Sequence, residues 1–297
     1  MVSTQHSPLT AGSHLRHIRV GGVDRKYLVH LPPQYDPAVP SPVVLAFHGY
    51  GSSSHHMVKF CDLSTKADQA GFVVVYPEGT GKTRRTLAWN AGDCCGDPQQ
   101  DNTDDVGFVR ALLDDLGSVA SVDPRRMFAA GMSNGAMMAY FLALKLSDRI
   151  AAIAAVSGPM GTCKCQPKRP VPVMHFHGLD DKFAPFLGGV GERSITKVNF
   201  LSVPYSVDFW VRANQCSPDP VVSELPACSA DGTSVLRKVW GGGRNDSEVI
   251  LFEISGGGHT WPGARPMLFC VEATTQNVSA NDEMWRFFQR HPLPDSC

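Results

Sequence analysis

The chain has 297 residues, 43% of them hydrophobic and 19% charged, with a net charge of −1. That composition supplies a large core and confines disorder to the ends, and the near-zero charge gives no long-range field for nucleic acid or an anionic membrane. No apolar stretch approaches the roughly 20 residues of a membrane-spanning helix.

No linker, charge run or internal repeat divides the chain. Residues 15–297 therefore read as one α/β catalytic domain behind a flexible tail at residues 1–14. A hairpin is expected over residues 17–20 and 26–31, then a buried strand over residues 42–47. A helix over residues 56–70 and a strand over residues 72–76 follow, then a long loop to residue 102. Val106, Val109, Leu113 and Leu116 form one apolar stripe of the next helix, which begins with Asp104 and Asp105, where the helix dipole favours acids. A strand over residues 126–130 comes next, and Ala136, Met137, Tyr140, Phe141 and Leu144 then recur at helical spacing. Strands over residues 150–156 and 172–177, a helix over residues 206–214, a late strand pair and a helix over residues 281–289 complete the series. Alternation of this kind predicts a mostly parallel sheet covered on both faces.

Gly131-Met132-Ser133-Asn134-Gly135 stands where that strand turns into the helix. A Ser on a sharp strand-to-helix turn exposes its hydroxyl, and glycines on either side let neighbouring backbone come close, so Ser133 is the candidate nucleophile. Such a site uses Ser, then Asp or Glu, then His in chain order. Asp180 and Asp181 follow the strand that ends in His175-Phe176-His177, and His259 follows the strand over residues 249–254 after three glycines. The candidate oxyanion donors are the backbone N–H groups of Asn134, next to the serine, and of Tyr50, in the loop His48-Gly49-Tyr50-Gly51.

Other signals are weaker. Gly79-Thr80-Gly81-Lys82-Thr83 mimics a phosphate loop, but Tyr76 stands where the first glycine belongs. His175 and His177 share a strand face without an evident third ligand, so packing beside the acid turn is expected and no metal or cofactor is predicted. Asn245 and Asn277 open glycosylation sequons. Nine cysteines favour an oxidising compartment. Cys216 and Cys228 flank a Pro-rich loop they can close, and Cys94 or Cys95 can reach Cys163 or Cys165. Residues 1–14 carry no signal-peptide core, so a secreted or periplasmic protein whose leader has been removed is expected. Only residues 158–170 separate the two strands between which many such hydrolases carry a cap, so no cap domain is expected, and an open site suits bulky or polymeric esters.

Three sets of residues carry a resemblance. They are Trp89-Asn90-Ala91-Gly92-Asp93-Cys94-Cys95-Gly96 with Asp104-Asp105-Val106-Gly107-Phe108; His177-Gly178-Leu179-Asp180-Asp181-Lys182-Phe183-Ala184-Pro185-Phe186; and Gly257-Gly258-His259-Thr260-Trp261-Pro262-Gly263. With the serine motif they resemble the bacterial esterase/poly(3-hydroxybutyrate) depolymerase family, which overlaps the feruloyl and acetylxylan esterases of carbohydrate esterase family 1. The likeness runs from about residue 20 to residue 290. It implies a single-domain α/β-hydrolase fold and a carboxylic ester hydrolase, with Asp181 rather than Asp180 as the acid. Leu179, Ala184 and Phe186 stand where the family pattern has Thr, Val and Tyr. Trp89, Phe186 and Trp261 are the expected substrate contacts. Feruloyl or aryl esters rank first, hydroxybutyrate oligomers second and acetylxylan third, with serine peptidase and acyltransferase as the competing classes.

Overall fold

The computed structural model describes residues 7–265 and 272–294. The hairpin is β1 (Gly12–Val20) and β2 (Val23–Leu31), followed by β3 (Ser41–Phe47), α1 (Ser54–Cys61), α2 (Leu63–Ala70) and β4 (Val73–Pro77). A long connection carrying the short α3 (Gly96–Gln100) leads to α4 (Asp105–Val119), β5 (Val122–Met132) and α5 (Asn134–Lys145). Then come β6 (Ala152–Val156), β7 (Val173–Gly178), α6 (Val203–Asn214), β8 (Val221–Glu224), β9 (Ser234–Trp240), β10 (Val249–Ser255) and α7 (Ala280–Arg290).

These strands form one sheet in the order β1-β2-β4-β3-β5-β6-β7-β10-β9-β8. The run from β4 through β3, β5, β6 and β7 to β10 is parallel, and the antiparallel pairs lie at the two ends. Strands β4, β6 and β7 are buried along their whole length, as the Val- and Ala-rich sequences Val73-Val74-Val75 and Ala152-Ile153-Ala154-Ala155 require in a sheet covered on both faces. One core, under α4, α5 and α6, holds Phe47, Trp89, Phe108, Tyr140 and Trp210. The other, under α1, α2 and α7, holds Tyr76, Phe128, Phe176, Trp261 and Phe287.

Several sequence expectations need correction. The helix over residues 56–70 is two helices, because Asp62 turns left-handed at φ 52° and its carboxylate accepts the Thr65 hydroxyl. Asp104 and Asp105 do begin α4 as expected: Asp104 caps it, accepting from Gly107 N–H, and Asp105 stands in its first turn. It is buried against Arg25 at 2.6 Å and accepts Asn90 N–H at 2.8 Å. The boundary expected at residue 14 falls inside β1, and Leu9 N–H already bonds Val119 O at 2.8 Å. Asn277 is buried and spends its amide on Cys228, Ser229 and Thr233, so that sequon is closed to sugar.

Cys94 pairs with its neighbour Cys95, while Cys163, Cys165, Cys216 and Cys228 are free thiols among the described residues. The bridges expected from Cys94 or Cys95 and between Cys216 and Cys228 are therefore not formed. Cys216 instead faces Ser247 O, and Cys228 faces Pro226 O. Cys270 and Cys297 lie outside the described residues.

Candidate active site

The site is built where β5 meets α5. Ser133 has φ 57° and ψ −121°, a left-side conformation that costs an L-residue about 1–3 kcal/mol and persists only when its surroundings enforce it. Ser133 N–H bonds Val156 O on β6 at 2.9 Å, and Ser133 O accepts Met137 N–H at 3.0 Å. The turn is tight: a Cβ on Gly131 would lie 2.2 Å from Gly135 O, and one on Gly135 would lie 2.2 Å from Phe47 O. Both glycines of the motif are therefore steric requirements.

The candidate acid and base follow neighbouring strands. Asp181 follows β7 and His259 follows β10, which pairs with β7 in parallel register. Asp181 Oδ1 accepts the N–H groups of Phe183 and Ala184 at 2.8 and 2.9 Å, and Oδ2 accepts His259 Nδ1–H at 2.7 Å. Asp180 is exposed, so only Asp181 reaches the imidazole. Burial by itself would raise the Asp181 carboxyl. The facing His259 outweighs that, helped by His177 and Ala184 N–H, and holds it below its ordinary value as an anion. A proton on Nδ1 leaves Nε2 of His259 as the acceptor, the tautomer a general base needs. On its other side His259 donates its backbone N–H to Glu272 Oε2 at 2.5 Å.

Ser133, Asn134, Tyr50 and His259 line one cleft of about 300 Å3. Asn134 opens α5, where first-turn N–H groups have no intrahelical partner. Beside it, Gly51 N–H goes to Leu87 O and Ser52 N–H to Gly49 O; among the described residues the Tyr50 N–H has no backbone acceptor. The two candidate oxyanion donors thus border the same space as the serine.

Trp89 is fully buried rather than at the cleft wall, and its indole N–H donates to His48 O at 2.9 Å. Its backbone N–H and C=O are both taken by the Asn134 side-chain amide, at 2.8 and 3.1 Å. One side chain therefore ties the loop bearing Tyr50 to the residue after the serine. His48 completes the brace, its ring bonding Gly49 O at 2.8 Å and accepting Gly79 N–H at 3.0 Å; burial lowers it to about 4 and keeps it neutral. The phosphate-loop mimic is thus part of this brace.

Trp261 is also buried, donating to Asn281 Oδ1 at 2.9 Å, and Phe186 packs edge-on against His177 beneath the acid loop. None of the three expected substrate contacts lines the cleft. Its walls are Tyr50, Met57, Phe60, Met137, Phe183 and Phe200, with Arg193, Ile195 and Glu272 at the side. Phe183 lies 5.1 Å from the His259 ring, and Arg193 sits 5.3 Å over Phe183. Half of these missed residues (Phe183, Arg193, Ile195 and Phe200) belong to the irregular segment 182–202 between β7 and α6, which borders the site. A connection of that length without periodicity is itself a signal of a functional loop.

A doubly covered parallel sheet, a strained serine turn at the carboxyl end of a central strand and a carboxylate–imidazole pair from neighbouring strands define an α/β-hydrolase. Residues 25–187 match the family described as Esterase PHB depolymerase, and the chain belongs to that family. It is a carboxylic ester hydrolase. It is 32% identical over 284 residues to "Putative esterase NocK" of Nocardia uniformis subsp. tsuyamanensis, covering 90% of this chain and 80% of that protein. It is 28% identical to feruloyl esterase B of Piromyces equi over 79% of this chain but only 42% of that longer protein. Acetyl xylan esterase from Aspergillus awamori shares the fold with a TM-score of 0.63 at 15% identity, covering 93% of this chain and 99% of that one.

The brace makes a specific prediction. Trp89→Phe keeps one aromatic ring but removes the N–H to His48 O together with part of the indole volume, leaving a buried acceptor unpaired at a cost of about 1–3 kcal/mol in addition to the cavity. Steady-state kinetics on p-nitrophenyl butyrate should give kcat reduced about tenfold with KM little changed. An unaltered kcat would show that the Trp89–His48 bond does not hold the oxyanion loop.

Proposed function

We propose that the chain hydrolyses feruloyl (hydroxycinnamoyl) and other aryl esters through an acyl-enzyme on Ser133. The observation that carries the reading is the Asp181 Oδ2–His259 Nδ1 bond of 2.7 Å, made at the cleft onto which Ser133 opens. His259 Nε2 takes the Ser133 hydroxyl proton as Oγ attacks the ester carbonyl carbon. The carbonyl oxygen becomes an oxyanion facing the N–H groups of Tyr50 and Asn134, each such donor being worth about 2.7–4 kcal/mol. Collapse breaks the ester C–O bond, and the leaving alkoxide takes the proton back from His259. Water then repeats the sequence on the acyl-serine, releasing the acid and restoring Ser133. Asp181 stays ionised throughout, fixing the tautomer and stabilising the imidazolium.

The substrate reading rests on the cleft walls. Phe183, Phe60, Phe200 and Tyr50 offer flat apolar surfaces to an aromatic acyl group, and Arg193 offers donors to its ring substituents. Among the described residues no separate cap domain closes the cleft, which leaves room for an alcohol side borne on polysaccharide. The family description favours a second reading, short hydroxybutyrate oligomers, which the same apolar walls accept; acetylxylan ranks third, because acetyl leaves those walls unfilled. The domain acts as one catalytic unit without a metal or cofactor. Nine cysteines fit export from the cytoplasm, to the periplasm or beyond. Among the described residues no helix is long and apolar enough to cross a membrane.

Ser133→Ala should lower kcat by about four orders of magnitude or more with the fold intact by circular dichroism, and Asp181→Asn by about three to four. Asp180→Asn, made alongside, should stay within about twofold of the parent. Damage at Asp180 exceeding that at Asp181 would reverse the assignment of the acid.

The substrate order is tested by kcat/KM on methyl ferulate, hydroxybutyrate trimer and acetylated xylan. Methyl ferulate is expected to lead by about tenfold or more, the advantage of burying an aromatic ring. Acetylxylan preferred over both others would overturn the ranking.

A further inference from the structure

Beneath the site lies a chain of polar groups that the proposed reaction does not use. Tyr140, His175 and His177 are each 0% exposed. Tyr140 belongs to α5, the helix that Ser133 begins, whereas His175 and His177 project from one face of β7, the strand that ends at the acid loop. Tyr140 Oη lies 2.9 Å from His175 Nδ1, His175 Nε2 lies 3.0 Å from His177 Nδ1, and His177 Nε2 lies 2.7 Å from Ala184 O. His177 Nε2 is also 3.4 Å from Asp181 Oδ2, the oxygen that receives His259 Nδ1–H.

The direction of every proton in this chain follows from its far end. Ala184 O can only accept, so His177 Nε2 carries hydrogen. Burial pushes both histidines below their ordinary values, so each ring is neutral and holds one proton. His177 Nδ1 is therefore bare and accepts His175 Nε2–H. His175 Nδ1 is bare in turn and accepts the Tyr140 hydroxyl. All the side-chain donors point one way, from the nucleophile helix to the acid loop.

We propose that Tyr140, His175 and His177 form a buried strut that sets the acid loop against the nucleophile helix, with His177 as the positioning residue for Asp181. Ala184 is held at both ends: its C=O accepts from His177, and its N–H donates to Asp181 Oδ1 at 2.9 Å. Removing the His177 N–H frees that loop, and the Asp181 carboxylate then aims less well at His259. Packing alone would not need this arrangement, since apolar side chains of similar volume fill a core without the desolvation cost of three polar groups. Trp210 stacks on Tyr140 and Phe186 packs edge-on against His177, which holds both rings in place for their bonds.

This inference rests on Asp181 and His259 being the acid and the base. The ionisable groups around His259 are Asp181 on the acid loop, Glu272 at its backbone N–H, Arg193 beyond Phe183, and neutral His177 below. Among the described residues Asp181 is the one side chain bonded to the imidazole, so its orientation governs the acidic limb of the pH profile.

The test compares His177→Leu, His177→Gln, Tyr140→Phe and Asp181→Asn by kcat, KM and the pH dependence of kcat/KM on p-nitrophenyl butyrate. His177→Leu should lower kcat about tenfold or more with KM nearly constant, and move the acidic limb to lower pH, because a loosened Asp181 stabilises the His259 cation less. His177→Gln, which restores a donor near the Nε2 position, should recover most of both. Tyr140→Phe should lower kcat about threefold, and adding it to His177→Leu should cause no further loss, as for serial members of one chain. Should His177→Leu fail to fold, Tyr140→Phe carries the test: a lowered kcat with a shifted limb supports the strut, and an unchanged profile overturns it. A folded His177→Leu variant with normal kcat and acidic limb but reduced thermal stability also overturns it, leaving His177 a packing residue. Normal turnover in Asp181→Asn refutes the acid assignment itself, a result distinct from either.

Discussion

The backbone turn at Ser133 is the constraint on which the rest of the site depends. A residue with a side chain held at φ 57° does not stay there by its own preference. It stays because β5 and β6 fix the chain before it, α5 fixes the chain after it, and two glycines let Phe47 O and Gly135 O approach to distances no Cβ tolerates. That geometry sets Ser133 and Asn134 side by side at the cleft. Everything else in the site is arranged around that fixed point.

The supporting structure is built from segments far apart in sequence. The Trp89 segment reaches under the serine to grip Asn134 and His48, and Trp89 stacks at 6.4 Å on Phe108 of α4. The start of α4 is anchored by the buried Arg25–Asp105 pair, and Asp105 also takes Asn90 N–H. Breaking such a pair by removing one partner strands a buried charge and typically costs about 3–5 kcal/mol. The tryptophan, the acidic pair and the loop bearing Tyr50 are therefore one mechanical unit. On the other side, β7 and β10 set Asp181 beside His259, and the Tyr140–His175–His177 chain runs between the two halves.

Much of this was legible in the sequence where the cause is local. Strand, glycine, serine, glycine and helix follow one another without interruption, so the Ser133 turn is written in five residues. Asp180, Asp181 and His259 each trail a strand in the order such a site uses, and the family resemblance, not chain order, singles out Asp181. Legibility failed where tertiary packing decides. Trp89 and Trp261 read as cleft residues because they adjoin functional motifs, yet large aromatic rings are drawn to the core, and both are buried with their N–H groups satisfied. Phe186 was misplaced for the same reason, being taken up by His177 and the core. The residues that do form the cleft wall from segment 182–202 have no periodicity to announce them. His175 and His177 do lie buried beside the acid turn, where their strand places them, but the Tyr140 partner on another element is invisible to any strand pattern. The left-handed Asp62 splits a helix that periodicity draws as continuous.

The central claim is that Ser133 alone is made nucleophilic by the Asp181–His259 pair, and the most direct measurement is covalent. Intact-protein mass spectrometry after treatment with a fluorophosphonate, followed by peptide mapping, reads the reactive residue without reference to any substrate. The account predicts one adduct per chain, on Ser133, formed in step with loss of esterase activity and slowed about a thousandfold or more in Asp181→Asn. An adduct on another residue, or full inactivation with Ser133 unmodified, would contradict it.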